Sequence, residues 1–302
     1  MAEEKLKIHP QGPLLSPLVS GMMHLNDWNL SLPDRIEFVE FCIEQGISSF
    51  DHADIYGGYQ NEALFGEILK KRPEIREKIE LISKCGICLT TENRPENRIK
   101  HYNTTAEYIQ KSVDRTLRNL NSEYVDLLLI HRPDPLMDSS EVADILMSLI
   151  ESGKVNYVGV SNFTPSQFDL LQAKLDIPLV TNQVEYSLMH IEPIYDGTFN
   201  QAQKMGYKPM VWSPFAGGRI FHEHSDLAGR IRHTLHHLSE KYDASTDQIA
   251  LSWILRNPAN PVPVIGTGNK DRIVSAIHSL KLQLERQDWF ELLRAVRGHD
   301  VA

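Results

Sequence analysis

The sequence predicts an α/β fold in which eight strand–helix units close into one barrel domain over residues 1–302. Short β-rich runs recur along the chain, and an amphipathic segment follows each of them. Residues 125–130 are almost entirely apolar, which is typical of a parallel strand that helices cover on both faces. Because eight such units need about 250 residues, the length fits a (β/α)8 TIM barrel with an N-terminal hairpin and a C-terminal helical tail.

The predicted strands are short runs that branched side chains dominate. They begin at Leu18, Ile47, Ile79, Val125, Val155, Leu179, Met210 and Pro263. Residues typical of helix starts and helix ends lie between these strands. Gly46 lies at the predicted end of the first helix, and Thr104–Glu107 has the pattern of a capping box. Thr164 is a predicted N-cap before Pro165.

Three segments fall outside the regular alternation. We expect residues 6–17 to form a hairpin that plugs the N-terminal end of the barrel. The tail has an apolar helical stripe that should dock on the barrel, made of Trp289, Leu292, Leu293 and Val296. The loop at residues 88–103 is long for a strand–helix connection, and such loops are usually functional or mobile.

Composition excludes several classes of protein. With 31 Lys and Arg against 40 Asp and Glu, the net charge of −9 argues against nucleic-acid and membrane partners. Three cysteines are too few for a disulfide framework, and residues 1–7 lack the apolar centre of a signal peptide. We therefore expect a cytoplasmic protein whose partner is a small molecule. The sequence does not indicate an oligomeric state.

The competing α/β fold is a Rossmann sheet, which Gly266–Asp271 suggests. This stretch follows a predicted strand and opens a predicted helix, but the third glycine of the fingerprint is missing. Too few residues follow it to build the remaining units of such a sheet. The barrel is therefore the better prediction.

Polar side chains cluster at the predicted carboxyl ends of three consecutive strands. Asp51 and Tyr56 follow the second strand, Lys84 ends the third, and His131 ends the fourth. In a barrel these ends face the active site. A phenol can protonate a carbonyl oxygen while an imidazole polarises it. We expect a nearby Lys84 to bring the pKa of the Tyr56 phenol down from its ordinary value of about 10.

These and neighbouring residues also allow simpler interpretations. A single charged residue at a strand end is more often structural than catalytic, so the prediction depends on the conjunction of all four. Cys85 and Cys88 have C-x-x-C spacing, but coincidence is favoured over a redox pair or a zinc site. No metal is predicted at Asp51–Asp54, because His52 should face away from Asp51 on a strand.

The sequence resembles the aldo-keto reductases over about residues 15–275. The stretch Asp51–Gly57 is similar to that family's Asp-Thr-Ala-x-x-Tyr-Gly motif, with His52 where Thr is usual. Lys84 and His131 match the other catalytic positions, and residues 153–163 resemble the signature of the fifth unit. The finer pattern of residues 51–60 and 131–138 resembles one bacterial subgroup of the family. The resemblance implies that Asp51, Tyr56, Lys84 and His131 form the catalytic tetrad.

The resemblance also implies a nicotinamide cofactor, NADP(H) before NAD(H), extended across the barrel mouth. Ser161, Asn162 and Gln183 would hold its carboxamide, and Trp212 would stack on its ring, where Tyr is commoner. The full set of implied cofactor contacts is Met22, Met23, Asp51, Ser161, Asn162, Gln183, Trp212, Ser213, Pro214, Phe215, Gly217, Arg219, Gly266, Thr267, Gly268, Lys270 and Arg272.

The adenine end departs from the family pattern. Gly266 stands where many members have a Lys that pairs with the 2′-phosphate, and Ser275 and Ala276 replace a Glu–Asn pair. Arg272 keeps the family's arginine, and Lys270 stands near a predicted helix N-terminus, where a phosphate can bind.

The resulting hypothesis is an NADP-dependent reductase of aldehyde or ketone carbonyls. The alternatives are a cofactor-binding regulatory protein of the same fold, and a Schiff-base or metal-dependent lyase that uses Lys84. The lyase leaves Ser161, Asn162, Gln183 and Trp212 unexplained. Trp28, Tyr59 and Arg132 are candidate walls of the substrate pocket, and the sequence does not identify the substrate.

Overall fold

A computed structural model describes residues 4–302. Residues 1–3, part of the segment that lacks a signal-peptide pattern, lie outside the described residues. The strands are β1 (Leu6–Lys7), β2 (Leu14–Leu15), β3 (Val19–Gly21), β4 (Ser49–Asp51), β5 (Glu80–Cys85), β6 (Ile87–Cys88), β7 (His101–Tyr102), β8 (Val125–Ile130), β9 (Val155–Ser161), β10 (Leu179–Glu185), β11 (Met210–Trp212) and β12 (Val262–Ile265).

The helices alternate with these strands. They are α1 (Leu32–Glu44), α2 (Tyr56–Tyr59, a single turn), α3 (Asn61–Lys71), α4 (Ala106–Leu120), α5 (Ser139–Glu151), α6 (Pro165–Gln172), α7 (Thr198–Met205), α8 (Arg219–His222), α9 (Asp226–Tyr242), α10 (Thr246–Leu255), α11 (Lys270–His278) and α12 (Arg286–Arg297). Among the helices of residues 4–302, none is both long and apolar enough to cross a bilayer.

Eight of the strands form the closed parallel barrel that the sequence predicts. Their order around the barrel is β3-β4-β5-β8-β9-β10-β11-β12, and β12 pairs with β3 to close it. The predicted strand starts are right to within two residues; β4, for example, begins at Ser49 rather than Ile47. The carboxyl ends of all eight strands therefore open on the same face of the molecule.

The barrel interior is a packed apolar core that the N-terminal hairpin closes. Ile8 and Leu15 are fully buried among inward-facing strand residues such as Val19, Ile82 and Leu127. Strand β1 pairs antiparallel with β2, so the predicted hairpin is confirmed. A second, larger core lies between the strands and the surrounding helices.

The helix boundaries follow capping chemistry. Gly46 has φ of 87° directly after the end of α1, a left-handed conformation that glycine adopts without a steric penalty. Thr164 is the N-cap of α6, as predicted, and it forms a capping box with Gln167. The capping box predicted over Thr104–Glu107 is wrong, because Thr105 is the N-cap of α4 and accepts from the Tyr108 amide. The Thr104 hydroxyl instead donates to Asp134 at 3.0 Å.

The C-terminal helix docks as its apolar stripe predicts. Trp289 of α12 stacks on Trp253 of α10, with ring centroids 5.1 Å apart. Each indole N–H donates to the backbone carbonyl of the other tryptophan, at 3.0 and 3.1 Å. Leu292 and Leu293 are buried beside this pair.

The long segment after β5 has structure of its own. Ile87 pairs with Tyr102 and Cys88 pairs with His101, so β6 and β7 form an antiparallel ribbon at the carboxyl end of the barrel. The ribbon carries the chain over the mouth before α4 begins. This placement makes the predicted long loop a wall of the mouth.

Two helical glycines should respond oppositely to alanine. A Cβ at Gly66 in α3 would stand 1.9 Å from the carbonyl oxygen of Asn119 in α4, whereas one at Gly229 in α9 meets no atom within 4 Å. We expect Gly66→Ala to lower the free energy of unfolding by about 1–3 kcal/mol, because the helices must separate. Gly229→Ala should raise it by about 0.5–1 kcal/mol through helix propensity. Urea unfolding of both variants checks this, and equal signs would contradict the packing described here.

Candidate active site

The carboxyl ends of adjacent strands bring the predicted tetrad together. Asp51 is the last residue of β4, Lys84 is the penultimate residue of β5, and His131 directly follows β8. Tyr56 begins the turn α2, five residues after Asp51. Because β4, β5 and β8 are neighbours in the barrel, side chains that are far apart in the sequence converge at one point of the mouth.

Lys84 is the centre of this group. Its side chain is completely buried, and Nζ donates to Asp51 Oδ2 at 2.6 Å, to the His52 carbonyl at 2.9 Å and to the Tyr56 hydroxyl at 2.9 Å. An ammonium has three hydrogens, so all of its donors are used. Since the phenol oxygen accepts from Lys84, its own hydrogen is free to be donated into the cavity.

The electrostatic balance at Tyr56 differs from the sequence-based expectation. Burial raises the pKa of the Tyr56 phenol above its ordinary value, while the Lys84 charge opposes this and Asp51 adds to it. The expected lowering of this pKa is therefore wrong in sign, because desolvation outweighs the ammonium. The phenol is held neutral, which is the protonation state that a proton donor requires.

His131 is a neutral imidazole. Burial lowers the pKa of its ring well below the ordinary value, and the nearby positive charges of Lys84, Arg132 and Lys100 lower it further. Its ring meets that of Tyr56 edge-on, with centroids 6.0 Å apart. His131 Nδ1 is buried without a hydrogen-bond partner, and the residue lines the cavity. A neutral ring beside the phenol can donate a hydrogen bond to an oxygen placed there.

A chain of hydrogen bonds extends from Asp51 across the mouth. Gln183 Nε2 donates to Asp51 Oδ1 at 2.8 Å, and the Ser161 hydroxyl donates to the Gln183 carbonyl at 2.8 Å. Asn162 Nδ2 donates to the Ser161 hydroxyl at 2.7 Å, and Trp212 Nε1 donates to Asn162 Oδ1 at 3.0 Å. Strand ends of β4, β9, β10 and β11 are thereby held in a fixed relation.

The loop after β11 has an unusual backbone. Ser213 and Ala216 have φ of 50° and 51°, and Gly217 and Gly218 continue in the left-handed region. Non-glycine residues rarely adopt this conformation, and such strain is concentrated at functional sites. A Cβ at Gly217 would meet no atom within 4 Å, so the loop leaves open backbone facing the cavity.

One cavity of about 1340 Å³ joins these parts. Its volume exceeds the roughly 300–1,000 Å³ of a site for one small ligand, so it has room for a dinucleotide together with a substrate. It is lined by these predicted residues: Met23, Asp51, Tyr56, His131, Arg132, Ser161, Asn162, Gln183, Trp212, Ser213, Pro214, Phe215, Gly217, Gly266, Thr267 and Arg272. Lys84 lies directly behind this wall, in contact with Tyr56.

Several predicted cofactor contacts lie away from the cavity wall. Met22 is fully buried in the outer core, where its carbonyl accepts from Asn61. Arg219 pairs with Glu223 on the surface, and Lys270 pairs with Glu37 and lies over the Phe41 ring. The side chains of Arg219 and Lys270 therefore form ion pairs with carboxylates outside the cavity.

Two of the candidate substrate-pocket residues, Trp28 and Tyr59, also lie away from the cavity wall. Trp28 packs edge-on against Phe38 at 5.2 Å, and a Cβ at Gly268 would stand 2.6 Å from its indole. Gly268 therefore makes room for Trp28 and does not line the cavity. The Tyr59 hydroxyl accepts from the Leu89 amide at 2.8 Å and supports the loop before β7. Of the three candidate walls, Arg132 lines the cavity.

The structure adds residues that sequence reasoning missed. Lys100 and Tyr102 line the catalytic end of the cavity, His24 lines it beside Gly266, and Asp247 and Asp271 line its other end. The length of the 88–103 loop was the available signal for Lys100 and Tyr102. Asp247 accepts from the Ser275 hydroxyl at 2.7 Å, a contact that joins α10 to α11 and has no sequence motif.

A second buried polar cluster lies behind Lys84, outside the barrel wall. Glu62 Oε1 accepts from the Ser83 hydroxyl at 2.7 Å, and Asp54 Oδ2 accepts from the Ser112 hydroxyl at 2.6 Å. Burial raises the pKa of Glu62 to about 7 and that of Asp54 to about 6. Burial lowers the pKa of His52 to about 3, and its ring packs against Phe65.

The two cysteines of the C-x-x-C pair are free thiols. Cys85 and Cys88 are buried free thiols, and burial raises the pKa of both. Within residues 4–302, no three His, Cys, Asp or Glu side chains gather as ligands for a metal ion.

Glu62 should make stability depend on pH. Its folded pKa of about 7 lies above the ordinary 4.5, so the folded state keeps a proton that the unfolded state releases between these values. Stability therefore falls as the pH rises through this window. We expect Glu62→Gln to remove about 3 kcal/mol of this decline, at about 1.4 kcal/mol per pH unit. Urea unfolding at pH 5 and pH 8 measures it; the exposed control Glu151→Gln should keep the wild-type decline, and an unaltered decline in Glu62→Gln would refute the assignment.

Comparisons with known proteins agree with this geometry. The model of the "Aldo/keto reductase family" matches residues 17–296. Oxidoreductase YdhF of Escherichia coli is 46% identical over 99% of both chains, which confirms the bacterial subgroup that the finer motif indicated. The "6-dehydroglucose reductase" of Agrobacterium fabrum is 43% identical over 95% of this chain and 96% of its own. A crystal structure of the thermostable aldo-keto reductase Tm1743 shares the fold, with a TM-score of 0.82 at 24% identity, over 97% of this chain and 100% of its own. The chain belongs to the aldo/keto reductase family of oxidoreductases.

Proposed function

We propose that this protein is an NADPH-dependent reductase that converts an aldehyde or ketone into an alcohol, with Tyr56 as the general acid. The observation that carries the proposal is the contact of Lys84 Nζ with the Tyr56 hydroxyl at 2.9 Å, at the wall of a cavity that His131 also lines. Membership in an oxidoreductase family supports the reaction class. Two relatives named 6-dehydroglucose reductases support the reductive direction.

The tetrad supplies the proton side of the reaction. When bound, the cofactor supplies a hydride to the carbonyl carbon, and this hydride carries both electrons of the reduction. Tyr56 donates its proton to the carbonyl oxygen, so a C–H bond and an O–H bond form as the carbonyl π bond is lost. Lys84 stabilises the phenolate that remains, and neutral His131 donates a hydrogen bond to the same oxygen. Asp51 compensates the lysine charge and orients it.

The cavity wall fits the cofactor from end to end. The flat indole of Trp212 and the amide groups of Asn162 and Gln183 suit the nicotinamide ring and its carboxamide. The loop at Ser213–Gly218, with its left-handed residues and open backbone, suits the pyrophosphate. Three free thiols support the further proposal of a cytoplasmic location.

The adenosine end supports NADPH through one cation. Arg272 lies in the first turn of α11 and lines the cavity, so its guanidinium and the helix N-terminus both favour a phosphate there. Lys270 is occupied by Glu37. Asp247 and Asp271 line the same end and favour a ribose hydroxyl. The preference for NADPH over NADH therefore depends on Arg272.

Removal of the phenol proton should abolish turnover without loss of the cofactor. We expect Tyr56→Phe to lower kcat for a model aldehyde by about 10²–10⁴-fold, the contribution of a positioned general acid. Its Kd for NADPH, from quenching of protein fluorescence, should stay near the wild-type value. Tyr124→Phe is the matched control, since Tyr124 precedes β8 at the opposite end of the barrel and packs under Arg76. Wild-type turnover by Tyr56→Phe would refute the assignment and favour a different proton donor.

Arg272 should set the discrimination between the two cofactors. We expect Arg272→Met to weaken NADPH binding about tenfold and NADH binding much less, because only NADPH has the 2′-phosphate that a guanidinium holds. Fluorescence quenching gives both Kd values for the wild type and the variant. NADH binding to the wild type as tightly as NADPH would contradict the preference, and equal losses for both cofactors would place Arg272 elsewhere on the cofactor.

A further inference from the structure

Two cations at the catalytic end of the cavity have no counter-charge. Lys100 of the β6–β7 ribbon and Arg132, which follows His131, both line the cavity. Among the carboxylates of residues 4–302, none forms an ion pair with either. The Arg132 guanidinium lies over the Trp212 ring, 5.5 Å from its centroid. The guanidinium is therefore supported by an aromatic face, and this contact does not use its N–H donors.

Both charges act on the atoms that the proposed reaction uses. The charges of Arg132 and Lys100 disfavour the protonated form of His131, after burial and Lys84. Arg132 also favours the ionised form of the Tyr56 phenol, although burial dominates there. Side chains that influence these two rings lie within reach of a substrate whose carbonyl oxygen contacts them.

The carboxylates of the cavity cannot neutralise these cations. Asp51 is already held by Lys84 and by Gln183. Asp247 accepts from Ser275, and Asp271 lies in the first turn of α11. Both acids therefore belong to the adenosine end. A local surplus of two positive charges persists in a protein whose net charge is −9.

The two cations follow strands other than those that carry the loops suited to the cofactor phosphates, although the Arg132 guanidinium reaches the Trp212 ring at the end of β11. Lys100 and Arg132 follow β5 and β8, the third and fourth strands in the order around the barrel from β3. The loops that suit the pyrophosphate and the adenosine follow β11 and β12, the seventh and eighth strands. These pairs of strands lie on opposite sides of a closed barrel of eight. Because different strands carry the phosphate loops and the two cations, we assign the cations to the substrate.

We propose that the natural substrate carries an oxyanion, a carboxylate or a phosphate, on the part of the molecule beyond its carbonyl group, and that Arg132 and Lys100 bind it. The guanidinium offers a planar fork for two oxygens, and the ammonium adds a point charge. On an acidic protein, a cationic wall inside a cleft also concentrates anionic substrate at the mouth. This inference rests on the proposed carbonyl reduction and specifies its substrate class.

A pair of isosteric aldehydes tests the inference. 4-Carboxybenzaldehyde and 4-formylbenzamide have the same shape and differ by one negative charge. With NADPH, we expect kcat/KM for the carboxylate to exceed that for the amide at least tenfold, with a ratio that falls as salt is added. Lys100→Met and Arg132→Met should each lower the ratio about tenfold, and Arg132→Lys should retain more of it than Arg132→Met. Lys111→Met, a loss of the same charge on the outer face of α4, should keep the wild-type ratio.

The outcomes separate this inference from the proposed function. Turnover of both aldehydes with a ratio near one, or a ratio that Lys100→Met and Arg132→Met do not change, overturns the anionic substrate and leaves carbonyl reduction intact. Turnover of neither aldehyde overturns the proposed function itself. Glyceraldehyde and glyceraldehyde 3-phosphate form a second pair. A larger charge preference there than for the benzaldehydes supports a phosphate, and a smaller one supports a carboxylate. A neutral polyhydroxylated aldehyde that outcompetes every anionic one overturns the inference.

Discussion

The arrangement of the site depends on one buried ammonium. Taking the charge of Lys84 out of water is unfavourable unless every donor is paired. The three acceptors come from β4 and from the turn that follows it, while the lysine itself comes from β5. The Asp51 carboxylate and the Tyr56 phenol raise the pKa of Lys84 despite its burial. Because the buried ammonium needs all three hydrogen bonds, the ends of β4 and β5 are held together and the phenol oxygen is held next to Lys84 Nζ.

The alternation of side chains along β4 and β5 separates two polar environments. Asp51 and Lys84 face the barrel mouth, whereas the cluster of Asp54 and Glu62 lies behind the wall with Ser83 of β5. In that cluster, burial raises the pKa of both acids, so their ionisation is less favourable than that of exposed carboxyl groups. The ammonium has Asp51 as its hydrogen-bonded carboxylate partner. Lys84 and Asp51 therefore act on the phenol from the mouth side, together with its burial and the charge of Arg132.

The sequence was sufficient to predict those features of the fold and the site that depend on the parallel direction of the strands. Eight β-rich runs predict the barrel, and polar residues at strand ends predict the tetrad, because parallel strands must end on one face. It did not indicate features that depend on a choice between partners. Lys270 precedes a phosphate-suited helix start, yet its flexible chain pairs with Glu37, a residue far away in the sequence. The pKa of Tyr56 depends on a balance of burial and charge that only the folded site determines.

The mouth uses positive charge in two different ways. The charge of Lys84 is buried and paired with Asp51, and it contacts the phenol through one hydrogen bond. Those of Arg132 and Lys100 are uncompensated by carboxylates among the described residues, so their field extends into the cavity. A charged group that takes part in the reaction benefits from fixed hydrogen-bond partners, because its distance to the reacting atoms must stay constant. A charged group that binds a ligand benefits from having no ion-pair partner in the protein, because the ligand then supplies the opposite charge. By this criterion the first cation belongs to the proton transfer and the other two belong to the substrate.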